Sequence, residues 1–329
     1  MRVVSSFLLV GALALMAFVG AQAGGEALLA IGLPYLAVAV FLVGITARVI
    51  GWARSPVPFR IPTTCGQQRS LPWIKSSPLE NPSTGLGATA RVLLEVLTFR
   101  SLFRNTRAEL KEGGRLVYSA DKWLWAAALA FHYSFLVVLL RHFRFFASPV
   151  PAFVMWLQGL DGFFQIGVPE VYLTDVVLVA AVGFLLLRRL ADARLRYLSL
   201  VADYFPLALI LGIGISGIWI RYIGKVDVES VKNLAIGLVT FRPAVPRGIG
   251  SLFYVHLFLV CVLFAYFPLS KLVHMAGVFL SPTRNLANNN RTHRHVNPWN
   301  PPIIGHTYAE WEHDYHDKLV AADIPLDGK

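Results

Sequence analysis

Six long apolar runs, separated by polar links, constrain this chain more than any other feature of its sequence. The runs cover residues 3–23, 28–52, 123–146, 171–187, 198–223 and 252–280. A helix needs about 20 predominantly apolar residues to cross the hydrocarbon core of a bilayer. Hydrophobic residues make up 56% of the chain and charged residues only 15%. We therefore predict an all-α polytopic membrane protein with about six transmembrane helices.

The spacing of the runs divides the chain into four parts. We predict an N-terminal transmembrane hairpin (1–52), a basic cytoplasmic loop (53–120), a four-helix core (121–281) and a cytoplasmic tail (282–329). Within the loop, apolar residues recur at helical spacing among arginines between 88 and 110, which predicts an amphipathic helix. Two placements stay open for that helix, the inner membrane surface and the cytoplasmic end of the bundle.

The net charge of +11 suggests nucleic acid only if the basic residues line one solvated face, and here they cluster between apolar runs instead. We therefore expect no nucleic-acid partner and a lipid bilayer as the surroundings. The loop after the second run and the link at 188–196 are rich in Lys and Arg, whereas the link at 147–170 has neither. The positive-inside rule then places both chain termini in the cytoplasm. The mixed link at 224–250 weakens this assignment without reversing it.

Two further features were considered for a role. The first run and the small residues at 21–23 resemble a secretory signal, but an uncleaved first helix fits the charge distribution and is favoured. Cys65 and Cys261 give neither a disulfide framework nor metal-ligand spacing, so both are predicted to be free thiols.

Four histidines inside the predicted spans carry most of the functional information. An ionisable residue within a membrane helix is costly and usually faces the bundle interior with a partner. His132 and His142 lie ten residues apart on the third span, about 15 Å along a helix, and His256 and His274 lie eighteen apart on the last, about 27 Å. Antiparallel packing of these spans pairs His132 with His274 near the cytoplasm and His142 with His256 near the outer side. Helix tilt and crossing must absorb the unequal spacings.

One pair at each of two depths favours haem over other metal groups. Two imidazoles supply both axial ligands of a haem iron, whereas zinc requires three or four ligands at one point. Glycines on the fifth span allow close approach of a flat ring or of a neighbouring helix. Basic residues near the histidines are either partners for haem propionates or side chains that reach the membrane boundary. These residues are Gly212, Gly214, Gly217, Arg141, Arg144 and Lys271. The tail histidines, such as His313 and His316, are assigned to a solvated polar patch.

The histidine spacing resembles that of the gamma subunit of respiratory nitrate reductases, over residues of about 121–281. By that resemblance His132, His142, His256 and His274 are the axial iron ligands of two b-type haems in a diheme four-helix core, in the pairs His132/His274 and His142/His256. The sequence departs from that subunit because two spans, rather than one, precede the core and because the basic loop is long.

Strings outside the core are similar to the M-subunit family of the membrane complex associated with dissimilatory sulfite reductase. They are PVPFRIP at 56–62, TCGQQ at 64–68, LPWI at 71–74 and NPWN at 297–300. This resemblance implies a multi-pass protein of a prokaryotic inner membrane, menaquinol or menaquinone as a diffusible substrate, and a role in sulfur metabolism. It also implies a cytoplasmic iron-sulfur partner related to heterodisulfide reductase, along with other membrane and periplasmic subunits of the same complex.

These expectations combine into one functional hypothesis. Quinol is oxidised near His142 and His256, and electrons pass inward towards His132 and His274 and then to the cytoplasmic partner, so the chain is a subunit rather than a complete enzyme. A polar group must accept the quinol protons. The candidates are Tyr172, Asp161, Glu170 and Lys225.

Three rival functions are carried forward. The nearest is a diheme cytochrome b of a different quinone-linked complex, of nitrate, heterodisulfide or hydrogenase type. A transporter that uses its membrane histidines as a proton or metal relay predicts broken helices and a water-filled site at mid-membrane. A structural anchor for a partner complex predicts that histidine substitution leaves activity intact.

Overall fold

The computed structural model describes residues 2–55, 66–104, 107–119, 121–162, 171–245, 248–281, 285–291 and 305–327. These residues form a mainly helical chain with one small antiparallel hairpin, as expected for an all-α membrane protein. The helices are α1 (Arg2–Gln22), α2 (Leu28–Arg54), α3 (Gly85–Thr98), α4 (Arg100–Phe103), α5 (Lys122–His142), α6 (Ala152–Asp161), α7 (Leu173–Ala191), α8 (Ala193–Leu198), α9 (Val201–Ile218), α10 (Val228–Val239), α11 (Ser251–Tyr266), α12 (His274–Leu280) and α13 (Tyr308–Ala321). The strands are β1 (Arg107–Lys111) and β2 (Arg115–Ser119).

Within the described residues, five helices are long and apolar enough to cross a membrane, counting the turns that extend them. They are Arg2–Gln22, Leu28–Arg54, Lys122–Phe145, Val201–Ile223 and Ser251–Leu269. The predicted span at 171–187 is α7, which falls outside this set because Asp175, Arg188 and Arg189 lie near its ends.

Helix α7 nevertheless runs the full length of α5. Arg141 at one end of α5 pairs with Asp175 in the first turn of α7. At the other end Asp121, the N-cap of α5, pairs with Arg188 in the last turn of α7 at 2.5 Å. Because ion pairs join these two antiparallel helices at both ends, α5 and α7 cover the same depth.

The core of the bundle lies where α1, α7, α9 and α11 pack against one another. Glycine lets these helices approach closely, since a Cβ at Gly212 of α9 would lie 3.1 Å from Val10 of α1, and one at Gly214 would lie 3.2 Å from Val179 of α7. Gly212 and Gly214 therefore serve helix packing, which was one of the two roles considered for them.

The last predicted span, 252–280, is broken. α11 ends at Tyr266, and α12 begins at His274 after two 3-10 turns. Pro268 explains the break, because proline lacks an N–H donor and its ring clashes with the preceding helical turn. The ring packs on Gly44 of α2, and Arg48 Nε donates to the Pro268 carbonyl at 3.0 Å. The prediction that His256 and His274 lie about 27 Å apart along one helix is therefore wrong.

Helices α3 and α4 of the basic segment pack against one end of the bundle. Helix α3 packs on α12 and α4 packs on α5, so the amphipathic helix does pack on the bundle, while its other side exposes Leu86, Leu93 and Leu97. The predicted helical pattern extends too far, because residues 107–119 form the hairpin of β1 and β2. Two glycines in the left-handed region, Gly113 and Gly114, make the turn that joins the strands.

Candidate functional site

The four membrane histidines lie in two facing pairs. His132 of α5 and His274 of α12, here called the inner pair, have ring centroids 6.0 Å apart. His142 of α5 and His256 of α11, the outer pair, have ring centroids 6.5 Å apart. These are the partners that antiparallel packing predicts. The break before α12 interrupts the helix, so helical rise no longer fixes the distance from His256 to His274.

Three of the four imidazoles are oriented by a hydrogen bond from Nδ1 to a backbone carbonyl. The bonds join His132 to Ala128 at 2.7 Å, His142 to Val138 at 2.7 Å and His274 to Lys271 at 2.9 Å. Because a carbonyl oxygen can only accept, Nδ1 must carry the proton in each case. The lone pair of the neutral ring is then on Nε2, as in histidines that bind metals through that atom.

His256 is oriented in the same way by a side chain. Its Nδ1 lies 3.0 Å from Ser216 Oγ, and the Ser216 hydroxyl donates its own proton to the Ile213 carbonyl at 3.0 Å. Nδ1 of His256 is therefore the donor, and its Nε2 also carries the lone pair. A Cβ at Gly217 would lie 3.1 Å from His256 Cε1, so glycine is needed there to seat the ring.

The spacing of both pairs fits a haem iron between two imidazoles. A metal–nitrogen bond of about 2.0 Å and about 1.1 Å from that nitrogen to the ring centroid, on each side, place the centroids about 6.2 Å apart. The observed separations of 6.0 and 6.5 Å lie on either side of this value. In the part of the chain that the structure describes, no three His, Cys, Asp or Glu side chains converge as zinc would require.

The two pairs differ in the relative orientation of their rings. The imidazole planes of the inner pair are almost perpendicular, at 81°. Those of the outer pair are nearly parallel, at 17°.

A buried cluster of charged and phenolic groups lies beside the outer pair. The Arg141 guanidinium pairs with Asp161 at 3.0 Å and with Asp175, and all three side chains are buried or nearly so. The Tyr222 hydroxyl donates to Asp175 at 2.8 Å and accepts from the Tyr172 backbone N–H at 3.0 Å. Burial of charges is tolerable when they are paired and hydrogen-bonded in this way.

Tyr172 and Asp161, two of the predicted proton acceptors, belong to this cluster. The Tyr172 ring is stacked between the guanidiniums of Arg141, at 3.9 Å, and Arg221, at 4.2 Å. Asp161 accepts from the N–H of Thr174 at 2.8 Å and from its hydroxyl at 2.6 Å.

The structure brings neither of the other two predicted proton acceptors into the described cluster. Lys225 is exposed, and Glu170 lies outside the described residues. Sequence reasoning missed Asp175 and Tyr222. The available signal for Asp175 was its place as an acid inside an apolar run.

The cations proposed for haem propionates all have protein partners. Arg141 is held in the buried cluster, Arg144 donates to Gln158 at 3.0 Å, and Lys271 pairs with Asp203 at 2.6 Å. The Lys271 side chain is 74% exposed and that of Asp203 only 9%, so the ammonium is solvated while the carboxylate is nearly buried.

The inner pair has aromatic neighbours. The rings of Phe99 and Phe131 both meet His132 edge to face, each with a centroid distance of 4.8 Å. Phe99 belongs to the connection between α3 and α4 and was not predicted to lie near a histidine.

Among the tail histidines that the structure describes, none belongs to a comparable pair. His306 Nδ1 lies 3.6 Å from Asp314, and both side chains are at least half exposed. His313 and His316 are exposed on α13. His293, His295 and Cys65 lie outside the described residues.

The long apolar helices define a polytopic membrane protein, and its two facing histidine pairs have the arrangement expected of a cytochrome b. Comparison with known families is more specific. The chain belongs to the nitrate reductase gamma subunit family, whose model matches residues 95–294. The predicted resemblance to that subunit is thereby confirmed.

Two curated relatives match most of the chain. Each is called an Hdr-like menaquinol oxidoreductase cytochrome b-like subunit. The protein from Archaeoglobus fulgidus is 46% identical over 278 residues, covering 82% of this chain and 83% of the relative. The protein from Archaeoglobus profundus is 44% identical over 276 residues, covering 82% of each. These relatives also agree with the predicted resemblance to an M subunit, because both matches extend well beyond the four-helix core.

Proposed function

We propose that this chain is the quinol-oxidising membrane subunit of a larger oxidoreductase, with one b-type haem in the inner pair and one in the outer pair. The observation that carries the proposal is the shared geometry of the pairs. Both have the ring separation that an iron between two imidazoles needs, and all four rings use Nδ1 for orientation. Among the described residues, none of the four Nε2 atoms has a hydrogen-bond partner.

When bound, the two haems supply one-electron transfer between the outer and the inner end of the bundle, with no coordination position open for a substrate. The protein residues hold the rings in place and exclude other ligands. The work of removing protons from a quinol then falls to side chains.

The outer end of the bundle is assigned to menaquinol. The names of both relatives give menaquinol as the substrate. Oxidation of a quinol releases protons together with electrons, so polar groups must lie near the reacting oxygens. The buried cluster offers two carboxylates and two phenols beside the outer pair. Asp175 joins Asp161 and Tyr172 as a candidate proton acceptor, and the Tyr222 hydroxyl, which donates to Asp175, would relay a proton to that carboxylate.

The proposed topology has six membrane crossings. The five long apolar helices are joined by α7, because its ion pairs with α5 place it at the same depth. An even number of crossings puts both termini on one side, and the basic loops assign that side to the cytoplasm of a prokaryotic cell.

The inner pair lies at the end of the bundle where the basic segment packs. We assign this end to the exit of electrons to an iron-sulfur subunit related to heterodisulfide reductase, within a complex that has further membrane and periplasmic subunits and acts in sulfur metabolism. The name of the relatives, Hdr-like, supports a partner of this kind. A nitrate or hydrogenase type of complex would keep the same haem sites and differ only in the partner.

One observation is relevant to the rival transporter function. A transporter predicts broken helices, and the last span is broken. The break is filled by protein groups: Arg48 binds the Pro268 carbonyl, and Ser270 Oγ accepts from the Leu272 N–H at 3.1 Å. The histidines also lie at two separate depths rather than at one shared site. The geometry therefore favours the cytochrome.

The proposal is tested by counting haem in the purified chain and in single variants. We expect about two b haems per chain by pyridine haemochrome assay, and one each in His142→Ala and His274→Ala. His306→Ala is the matched control, since this tail histidine lies outside both pairs, and it is expected to keep both haems.

Reduction by a menaquinol analogue tests the second part of the proposal. We expect the analogue to reduce haem in the unmodified chain, as seen in a reduced-minus-oxidised spectrum. A folded, membrane-inserted chain with no haem would overturn the cytochrome assignment and favour the transporter. Two haems that no quinol analogue reduces would overturn only the quinol assignment.

A further inference from the structure

The connection between α3 and α4 brings a strained residue against the inner pair. Phe99 has φ 50° and ψ 45°, in the left-handed region that a bulky residue rarely adopts. Its ring meets the His132 ring edge to face, at 4.8 Å and an interplanar angle of 89°. Such a conformation persists only where the surrounding structure holds it.

The helix that carries His132 also holds Phe99 in place. Trp125 Nε1 donates to the Thr98 carbonyl at 2.7 Å, and the Tyr133 hydroxyl donates to the Leu97 carbonyl at 2.8 Å. Both acceptors lie directly before Phe99, at the end of α3 where carbonyls lack helical partners. On the other side of Phe99, Ser101 donates to Glu95 through its N–H and its hydroxyl, which closes the turn.

Together these contacts restrict rotation of the His132 ring. Phe99 and Phe131 both stand edge to face with it, so turning the imidazole about its Cβ–Cγ bond would drive it into one of them. The outer pair has a looser aromatic neighbour, Phe145, at 5.8 Å from His142. The restricted ring is the one that crosses its partner at 81°.

We infer that Phe99 is a positioning residue that keeps His132 crossed to His274 and so sets the electronic signature of the inner site. This inference rests on the proposed function, since it requires haem in the inner pair. The angle between two axial imidazole planes decides how the iron d orbitals split. Crossed planes leave two of these orbitals nearly equal in energy, which gives a strongly anisotropic ferric low-spin EPR signal, whereas parallel planes give a rhombic one.

The test is EPR spectroscopy of the oxidised, purified full chain. The unmodified protein should show one strongly anisotropic and one rhombic signal, and His274→Ala should remove the former, which assigns it to the inner pair. Phe99→Leu removes the ring edge but keeps apolar bulk, and it should shift the inner signal towards a rhombic form while the outer signal and the content of two haems stay unchanged.

Two further variants act as controls. Phe99→Tyr keeps the ring and should behave as the unmodified protein. Phe241→Leu also replaces a phenylalanine in the left-handed region, but its ring stacks on Tyr35 at 5.9 Å rather than on a histidine, and it should leave both signals unchanged.

Two results would overturn the positioning role. One is an unchanged inner signal in Phe99→Leu with both haems present. The other is loss of the inner haem in Phe99→Leu with recovery in Phe99→Tyr, because it would give the ring a packing role alone. Absence of haem from the unmodified chain is a different failure, since it would contradict the proposed function itself.

Discussion

The outer and inner histidine pairs share a ring separation but are built in different ways. The outer pair lies on two regular helices, α5 and α11, and is bordered by a buried ion-pair cluster around Arg141. The inner pair includes a residue that begins a short helix after a proline break, His274, and is bordered by aromatic rings. The transmembrane bundle alone therefore forms the outer pair, whereas the inner pair also needs the break and the loop segment.

This difference matches the two tasks in the proposed function. Proton removal from a quinol needs carboxylate or phenol groups, and these lie at the outer pair. Transfer of electrons to a partner needs no proton acceptor, and apolar rings occupy the corresponding place at the inner pair. Substitutions should therefore affect one pair and spare the other, in ways that the following variants measure.

The largest expected effect follows from Arg141→Met. The change leaves Asp161 and Asp175 buried without a counter-charge, a loss that typically costs roughly 3–5 kcal/mol. We expect marked destabilisation and loss of the outer haem before the inner haem, followed by thermal unfolding in detergent with absorbance of the haem Soret band. Arg144→Met is the control, because Arg144 donates to the neutral Gln158. Equal loss of both haems would show that the cluster supports the whole bundle rather than the outer pair.

A smaller effect is expected for Ser216→Ala. The change removes the acceptor that orients His256 through Nδ1, and loss of such a partner typically weakens metal binding by about 10- to 100-fold. Titration of the haem-free protein with haem should therefore show one weakened site. Ser134→Ala is the matched control, since that buried hydroxyl bonds only backbone carbonyls of its own helix. Two unchanged affinities would mean that helix packing, including Gly217, is enough to orient His256.

The smallest effect is expected for Lys271→Met beside the inner pair. Its ammonium is exposed, whereas the Asp203 side chain that it pairs with is only 9% exposed, and ion pairs at the surface contribute about 0.2–1 kcal/mol. Both haems should be retained, with at most a slight decrease in melting temperature. Loss of the inner haem would indicate that Lys271 binds a haem propionate directly.

The pairing of the histidines could be predicted because it depends on few quantities. Helical rise sets the depth of a histidine within its run, and antiparallel packing sets which helices face each other. Both follow from the positions of histidines such as His132 and His256 within the apolar runs. The break at Pro268 was missed because the surrounding run stays apolar, so hydropathy gives no sign of it. The physical signal was Pro268 followed by Ser270, a helix breaker followed by a residue that caps the next turn.

The surroundings of the pairs were harder to predict because they depend on distant contacts. Asp175 and Arg141 lie far apart in sequence and meet only because α5 and α7 run antiparallel. Phe99 reaches His132 through a left-handed backbone that no local pattern indicates for phenylalanine. Strand β1 does have a local signal, since apolar and charged residues alternate from Arg107 to Lys111, and residues 107–110 were assigned to the predicted helix because the apolar residues before them recur at helical spacing.

The most direct test of the two haem sites is a cryo-electron microscopy map of the purified chain, alone or in its complex. We expect flat macrocycle density with a central iron between His132 and His274, and again between His142 and His256. A map in which the imidazoles of either pair contact each other directly, or bind an ion with no macrocycle, would contradict the proposal.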